Sequence, residues 1–275
     1  MKLQVLNSNT RININKVIEP NSDNSHYNRP RILLDPTSYL EQIIIDPDDQ
    51  LDISWKSKFK SLCASFSDTI NPFPGRYNGY YGDIDNSIDF ISSPPPSVKA
   101  RLPHYSADKL KIMAKLMDEL ETMGVLAKPE QVGVTPAFVI PSLLTPKPGK
   151  GEWRLVSDFT PLNIHIRKFQ NVSPTIQDAK KVLAKYKYNV ECDLSNYFFQ
   201  GGMKREDIQY LATPHPYKGL RVYCVEPQGL LNASEHSYER LARIFEDLCM
   251  EEKMTCKKDG LFILADTVED LYPGS

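Results

Sequence analysis

Two carboxylates set the chemistry this sequence could perform. Asp193 closes the run Tyr188-Asn189-Val190-Glu191-Cys192, and Asp259 follows a helical segment and stands beside Gly260. Between them lies a Pro227-Gln228-Gly229 turn. Its glycine permits close approach to the backbone, and its glutamine amide can both donate and accept. Carboxylates far apart in sequence, each at a strand, suit a two-metal phosphoryl-transfer site. Mg²⁺ takes hard oxygen ligands, and a pair of ions clamps the attacking and leaving oxygens. Taken singly, each feature has a plainer reading: a lone Asp after an apolar run is a turn or cap residue, and Pro-Gln-Gly is a turn.

The elements that would position these residues can be read from periodicity. Val190 to Leu194 is predicted as a central strand that exposes Asp193 at its end. A helix over Ser173–Tyr186 precedes it, with Pro174 at the first helical position and Ile176, Ala179, Val182, Leu183 and Tyr186 on the packing face. Another helix is predicted over Ser234–Met250, with Leu241, Ile244, Phe245 and Leu248 on one face. Phe138–Leu144 and Trp153–Ser157 read as strands joined by the basic, glycine-containing tip Thr145–Gly151. Such a tip could close over a triphosphate, with Lys147, Lys150 and Arg154 neutralising charge, or be a solvated turn. Ser106–Met123 is the clearest helix: Ser106 can cap it, Asp108 suits its first turn, and Met113, Leu116, Met117, Leu120 and Met123 form an apolar stripe before Gly124. Ser54–Phe66 is a further helix with Ser54 as its cap, and Ile43–Ile45 a short strand. Asn71–Gly82 is a turn-rich aromatic loop, and Pro94-Pro95-Pro96 an extended spacer.

Composition narrows the class without deciding it. A hydrophobic fraction of 41% and a charged fraction of 25% are those of an ordinary globular chain. A net charge of −2 does not advertise nucleic-acid binding, and residues 140–258 carry only a modest basic excess. No apolar run reaches membrane-spanning length, and the first residues lack the apolar core of a secretory signal. The five cysteines include no Cys-x-x-Cys pair, so reduced thiols and no zinc site are expected, in an intracellular protein, cytoplasmic or nuclear. Residues 1–75 read as a leader, partly disordered with one helix. No Asp-Thr/Ser-Gly turn of an aspartic protease occurs.

Three motifs in register carry a resemblance: Glu152-Trp153-Arg154-Leu155-Val156-Ser157-Asp158-Phe159-Thr160-Pro161-Leu162-Asn163, then Asp193-Leu194-Ser195-Asn196-Tyr197-Phe198-Phe199-Gln200, then Pro227-Gln228-Gly229-Leu230-Leu231-Asn232-Ala233. From about Arg101 to Leu271 the sequence resembles the fingers and palm of a retroelement reverse transcriptase of the Ty3/gypsy-like type found in Pol polyproteins. The resemblance implies an α+β fold: right-hand polymerase-like fingers and an incomplete palm with an antiparallel sheet, thumb absent. Residues 76–190 would be linker and fingers, and 191–275 a partial palm.

The resemblance also assigns roles. Asp193 would be the first metal-binding carboxylate, with Leu194 adding its backbone carbonyl. Phe198 would be a steric gate against a 2′-hydroxyl, and Gln228 and Gly229 the floor of the nucleotide site. Arg154, with Lys147 and Lys150, would meet the triphosphate, while Asp158 and Phe159 hold the fingers together. For the second carboxylate, Asp259 lies 30 residues after Gly229 and Asp266 lies 37 after it. The family spacing selects Asp259 and leaves Asp266-Thr267 to cap the next helix. Gly260 then replaces the second Asp of the family's pair, and Lys257 and Lys258 stand where apolar residues are expected. The implied cofactor is a pair of Mg²⁺ ions, or Mn²⁺ in their place. The implied partners are an RNA or DNA template-primer, deoxynucleoside triphosphates and the rest of a Pol polyprotein, with no membrane. A non-enzymatic remnant that binds nucleic acid is the alternative.

Overall fold

The computed structural model describes residues 3–5, 43–46, 49, 51–65, 86–91, 102–149, 151–170, 174–194, 197–257 and 260–271. In chain order these form β1 (Leu3–Val5), β2 (Ile43–Ile45), α1 (Ile53–Ser65), α2 (Ala107–Thr122), β3 (Leu126–Ala127), α3 (Pro129–Val132), β4 (Ser142–Pro146), β5 (Trp153–Ser157), α4 (Thr160–Asn163), α5 (Ile176–Leu183), β6 (Tyr188–Asp193), α6 (Arg205–Ile208), β7 (Ala212–His215), β8 (Gly219–Tyr223), α7 (Ala233–Ile244), α8 (Glu246–Met250), β9 (Met254–Lys257) and β10 (Gly260–Ala265). Every ladder is antiparallel: β1-β2, β4-β5, β3-β8-β7 and β6-β10-β9. The mixed helices and antiparallel sheets match the expected α+β class. Among the described residues no helix is long and apolar enough to cross a membrane.

Helix α2 forms as its sequence dictates. Ser106 Oγ accepts from Lys109 N at 3.4 Å, and Asp108 lies in the first turn. Met113 and Met117 are fully buried, with Leu116, Leu120 and Met123 packed beside them. Gly124 ends the helix at φ +81°, a left-handed conformation that suits a residue without Cβ.

Five expectations need correction. Strand β4 begins at Ser142, not Phe138. Phe138 and Ile140 are buried, but their segment bonds to Gln209 O and Ala212 O as an irregular run, and Pro141 has no N–H to offer a ladder. Helix α5 starts after Thr175, because Thr175 and Asp178 form a capping box that outcompetes Pro174, and Ile176 is exposed at its first position. The helix expected over 234–250 breaks at Phe245, whose φ of −117° is not helical, and Leu248 is exposed. Helix α1 is capped by Asp52, which accepts from the backbone of Ser54 and Trp55, so Ser54 sits inside the first turn. Strand β6 is the outer strand of its three-stranded ladder, and β10 is the centre. Ile43–Ile45 is a strand as expected, and it pairs with Leu3–Val5, a strand not foreseen. The loop over Asn71–Gly82 and the spacer Pro94–Pro96 lie outside the described residues.

Two apolar clusters hold these elements. The larger joins α2 to the β3-β8-β7 sheet, the β4-β5 hairpin and α4, and centres on Met113, Met117, Leu126, Phe138, Leu162 and Leu211. A chain of buried hydroxyls stitches two of its sheets together. Ser142 Oγ lies 2.7 Å from Thr213 Oγ1 and 2.6 Å from Ser157 Oγ, and Ser157 Oγ lies 2.7 Å from Tyr223 Oη. Burial pushes the Tyr223 phenol up to about 12, so it stays protonated and available as a donor. The second cluster packs Val190, Cys192, Met254, Cys256 and Leu261 of the β6-β10-β9 sheet against Phe59 of α1 and Leu241 of α7.

Candidate active site

The β6-β10-β9 sheet fixes where Asp193 stands. Side chains alternate between the faces of a strand. Val190 and Cys192 belong to the apolar cluster, and position 193 ends the strand. Its cross-strand partner is Gly260, which also pairs with Lys257 on the far side. Asp259 and Lys258 lie outside the described residues, as does Lys150. Asp266 lies beyond the other end of β10, where Ala265 pairs with Tyr188. A strand rises about 3.3 Å per residue, so the length of β10, roughly 20 Å, separates Asp266 from the Asp193 end. Asp266 is exposed, and it is Thr267 that caps the following turn, Oγ1 accepting from Asp270 N at 3.2 Å.

A 3₁₀ turn over Tyr197–Gln200 follows. Leu194 is buried, and its carbonyl, which has two lone pairs, accepts from Tyr197 N at 3.2 Å. Phe198 is half-buried against the larger cluster. Its ring therefore packs in the core on one side, and the residue is anchored rather than free in a cleft.

The Pro227-Gln228-Gly229 turn is built as expected, with Gly229 at φ +97° and Gln228 exposed. A Cβ on Gly229 would come within 3.6 Å of the Phe159 ring. Asn163 clamps this turn. Its Nδ2 donates to Gly229 O at 3.0 Å, and its Oδ1 accepts from Leu231 N at 2.9 Å. Asn163 was part of a recognised motif but had no assigned role; a side-chain amide that satisfies two backbone groups of a remote turn cannot be read from spacing.

The β4-β5 hairpin carries the remaining candidates. Arg154 is exposed in β5 opposite Thr145. Lys147 lies at the tip in an exposed ion pair with Glu152, Nζ to Oε2 at 2.9 Å. Asp158 is held below the usual carboxylate range by hydrogen bonding from Thr160, side chain first and backbone second. Phe159 is buried and stacks obliquely on Tyr223, centroids 5.9 Å apart. Phe159 thus packs the end of the hairpin into the core, whereas the Asp158 side chain braces the local turn at Thr160.

No family model matches the chain, and no curated protein matches it. Solved structures do. The foamy viral protease-reverse transcriptase in complex with RNA/DNA hybrid aligns with a TM-score of 0.66 and 17% identity, over 88% of this chain and 31% of that one. The same protein in complex with dsDNA aligns at 0.65 and 18%, over 88% and 46%. The chain has the fold of a reverse transcriptase fragment. It spans less than half the length of the reverse-transcriptase chains it matches.

Within this reverse-transcriptase fold one polar group was missed altogether. Glu226 stands between Val225 and Pro227, directly before the Gln228-Gly229 turn, and is fully buried. Its carboxylate meets His236 Nδ1 at 2.5 Å and accepts from Asn86 Nδ2 at 2.8 Å. The available signal was a charge closing the apolar run Val222-Tyr223-Cys224-Val225, with His236 and Arg240 four residues apart on one helix face. Among the described residues no group of three or more His, Cys, Asp or Glu side chains could hold a metal ion.

Proposed function

We propose that the chain is the fingers and partial palm of a retroelement reverse transcriptase, Ty3/gypsy-like in type, that adds deoxynucleotides to a primer 3′-hydroxyl on an RNA or DNA template. One observation carries the reading: Gly260, bonded in sequence to Asp259, is the cross-strand partner of Asp193. Antiparallel partners lie about 4.5–5.5 Å apart between Cα atoms, so the ladder sets the Gly260 end of β10 directly against Asp193. Carboxylates on neighbouring strands at one end of a sheet would suit a pair of hard cations. Asp193 and Asp259 would hold them, with the Leu194 backbone carbonyl as a further ligand. When bound, the ions supply a clamp for the attacking and leaving oxygens. The chain itself would orient the nucleotide through Gln228 and the Gly229 backbone, limit space at the sugar through Phe198, and offset triphosphate charge through Arg154, Lys147 and Lys150. The nucleic-acid complexes of the aligned foamy viral protein support a template-primer as partner.

The test is Mg²⁺-dependent incorporation of deoxynucleotides on a primed template. Asp193→Asn and Asp259→Asn are each expected to lower incorporation by at least about 10²-fold, since the ions they hold contribute several kcal/mol of transition-state stabilisation. Asp266→Asn is expected to leave it unchanged. Activity retained in Asp193→Asn would sink the proposal.

A second reading, a non-catalytic nucleic-acid-binding module, draws on Gly260, which fills its ladder position with no carboxylate, and on Lys257 paired beside it. Template-primer binding without incorporation, unchanged by Asp193→Asn, would favour it.

A further inference from the structure

Glu226 meets three other segments, two through its buried carboxylate and one through its backbone N–H. Its backbone N donates to Gly201 O at 2.8 Å, and Asn86 N donates to Gly202 O at 2.8 Å, so the 201–203 segment lies between the chain at 86 and the chain at 225–226. The Glu226 side chain spans this sandwich, reaching Asn86 with Oε2 and His236 of α7 with Oε1. Gly201 makes the crossing possible: a Cβ there would collide with Asn86 Nδ2 and the Arg240 guanidinium. Arg240 lies over the Tyr197 ring, Cζ to centroid 5.6 Å, at the start of the turn that carries Phe198.

Stability alone does not explain a carboxylate here. Burying a charge carries a large desolvation penalty, and an apolar side chain of similar volume is often as stable or more so. The surroundings are not tuned to remove that penalty. Among the described residues, Oε1 of Gln200 is buried without a hydrogen-bond partner, and the Arg240 guanidinium is turned to the Tyr197 ring. Burial pushes the Glu226 carboxyl up from its ordinary value, opposed by His236 and Arg240, with Glu235 adding to the rise. What the carboxylate does supply is direction, because both its oxygens are committed to groups on different segments.

We propose that Glu226 is a positioning residue that, through Asn86 and His236, locks the 226–229 backbone to the 197–201 turn. Gln228, Gly229 and Phe198 are thereby held as a single surface. That this surface faces a nucleotide rests on the reverse-transcriptase reading; that it is held as one unit does not.

The test is amide hydrogen exchange of the full chain, followed by mass spectrometry, in wild type, Glu226→Leu and Glu226→Gln. In Glu226→Leu, peptides covering 197–203 and 227–232 are expected to exchange at least about tenfold faster, together, while a peptide over 113–120 in α2 is unchanged. Glu226→Gln, which keeps an acceptor for Asn86, is expected to restore most of the protection. If Glu226→Leu does not fold, Asn86→Ala removes one partner only and is read the same way. Uniform acceleration across the chain, no change in the two peptides, or a change in one alone would overturn the proposal. A nucleotide-incorporation assay on the same samples separates the two ideas: the exchange pattern without any wild-type incorporation keeps the lock and removes the polymerase reading, and the reverse result does the opposite.

Discussion

The two apolar clusters are built differently. The larger uses long side chains at zero exposure, among them Met113, Met117, Phe138 and Leu162, and is cross-braced by the Ser142–Ser157–Tyr223 hydroxyls and the Asn163 clamp. In the cluster under the β6-β10-β9 sheet, the cross-strand neighbours of Leu261 are the small Cys192 and Cys256, with larger groups such as Phe59 and Leu241 supplied by helices. In that sheet's alternate row Glu191 and Phe262 are only partly covered, while Thr255 is buried. Side-chain packing therefore sets the geometry in the first region, while backbone register sets it in the second. The candidate carboxylate sits in the second, where a one-residue slip of β10 would replace Gly260 opposite Asp193 with a bulkier neighbour.

Perturbations should separate the regions by size of effect. Phe138→Ala is expected to destabilise by about 3–5 kcal/mol in urea unfolding, and Leu261→Ala by about 2–3 kcal/mol, since its smaller neighbours can collapse around the gap. A larger loss at Leu261 than at Phe138 would break the comparison. Gly201→Ala should destabilise by about 1–3 kcal/mol through overpacking against Asn86 and Arg240. At the exposed hairpin tip, Lys147→Ala should change stability in urea unfolding by less than about 0.5 kcal/mol, and under the proposed function it should weaken triphosphate binding in an equilibrium titration, which sharpens the contrast between scaffold and site.

The pH response sharpens it further. His215 Nδ1 accepts from the backbone of Tyr217 and Lys218, and the ring is buried. Burial lowers its pKa from 6.5, with Arg221 and Lys218 adding to the fall and Asp118 opposing it. The unfolded chain then binds more protons than the native one below that value, so the stability is present above about pH 6.5 and is lost as pH falls through the lowered folded pKa. His215→Gln should flatten this slope in urea titrations between pH 7 and 5. Glu226 has the opposite sign: its raised pKa makes stability fall as pH rises above its ordinary value of 4.5, and Glu226→Gln should remove that fall.

Local signals in the sequence were reliable where the physics is local. The Met113–Met117 stripe, its Ser106 cap and its Gly124 stop place α2, and Trp153–Ser157 is a strand over its expected bounds. Competition between neighbouring signals caused the boundary errors, as where Thr175 and Asp178 overrode Pro174. The polar contacts were not legible. Asn86 and Glu226 are 140 residues apart, and neither periodicity nor turn chemistry links them. The same holds for Asn163 and Gly229, although both lay in motifs singled out for other reasons. Apolar patterning announces itself by period, whereas a directional bond between remote segments leaves no periodic trace.

Two of the five cysteines, Cys192 and Cys256, flank Leu261 across the sheet. Burial pushes the thiols of Cys192 and Cys256 up to about 12. The thiolate is the species that attacks an alkylating reagent, so both cysteines are shielded twice, by proton and by packing. Cys192 is the chain neighbour of Asp193 and shares its strand end. Its labelling rate therefore counts how often that strand end leaves its ladder, giving the chain an internal clock for the breathing of its candidate catalytic edge.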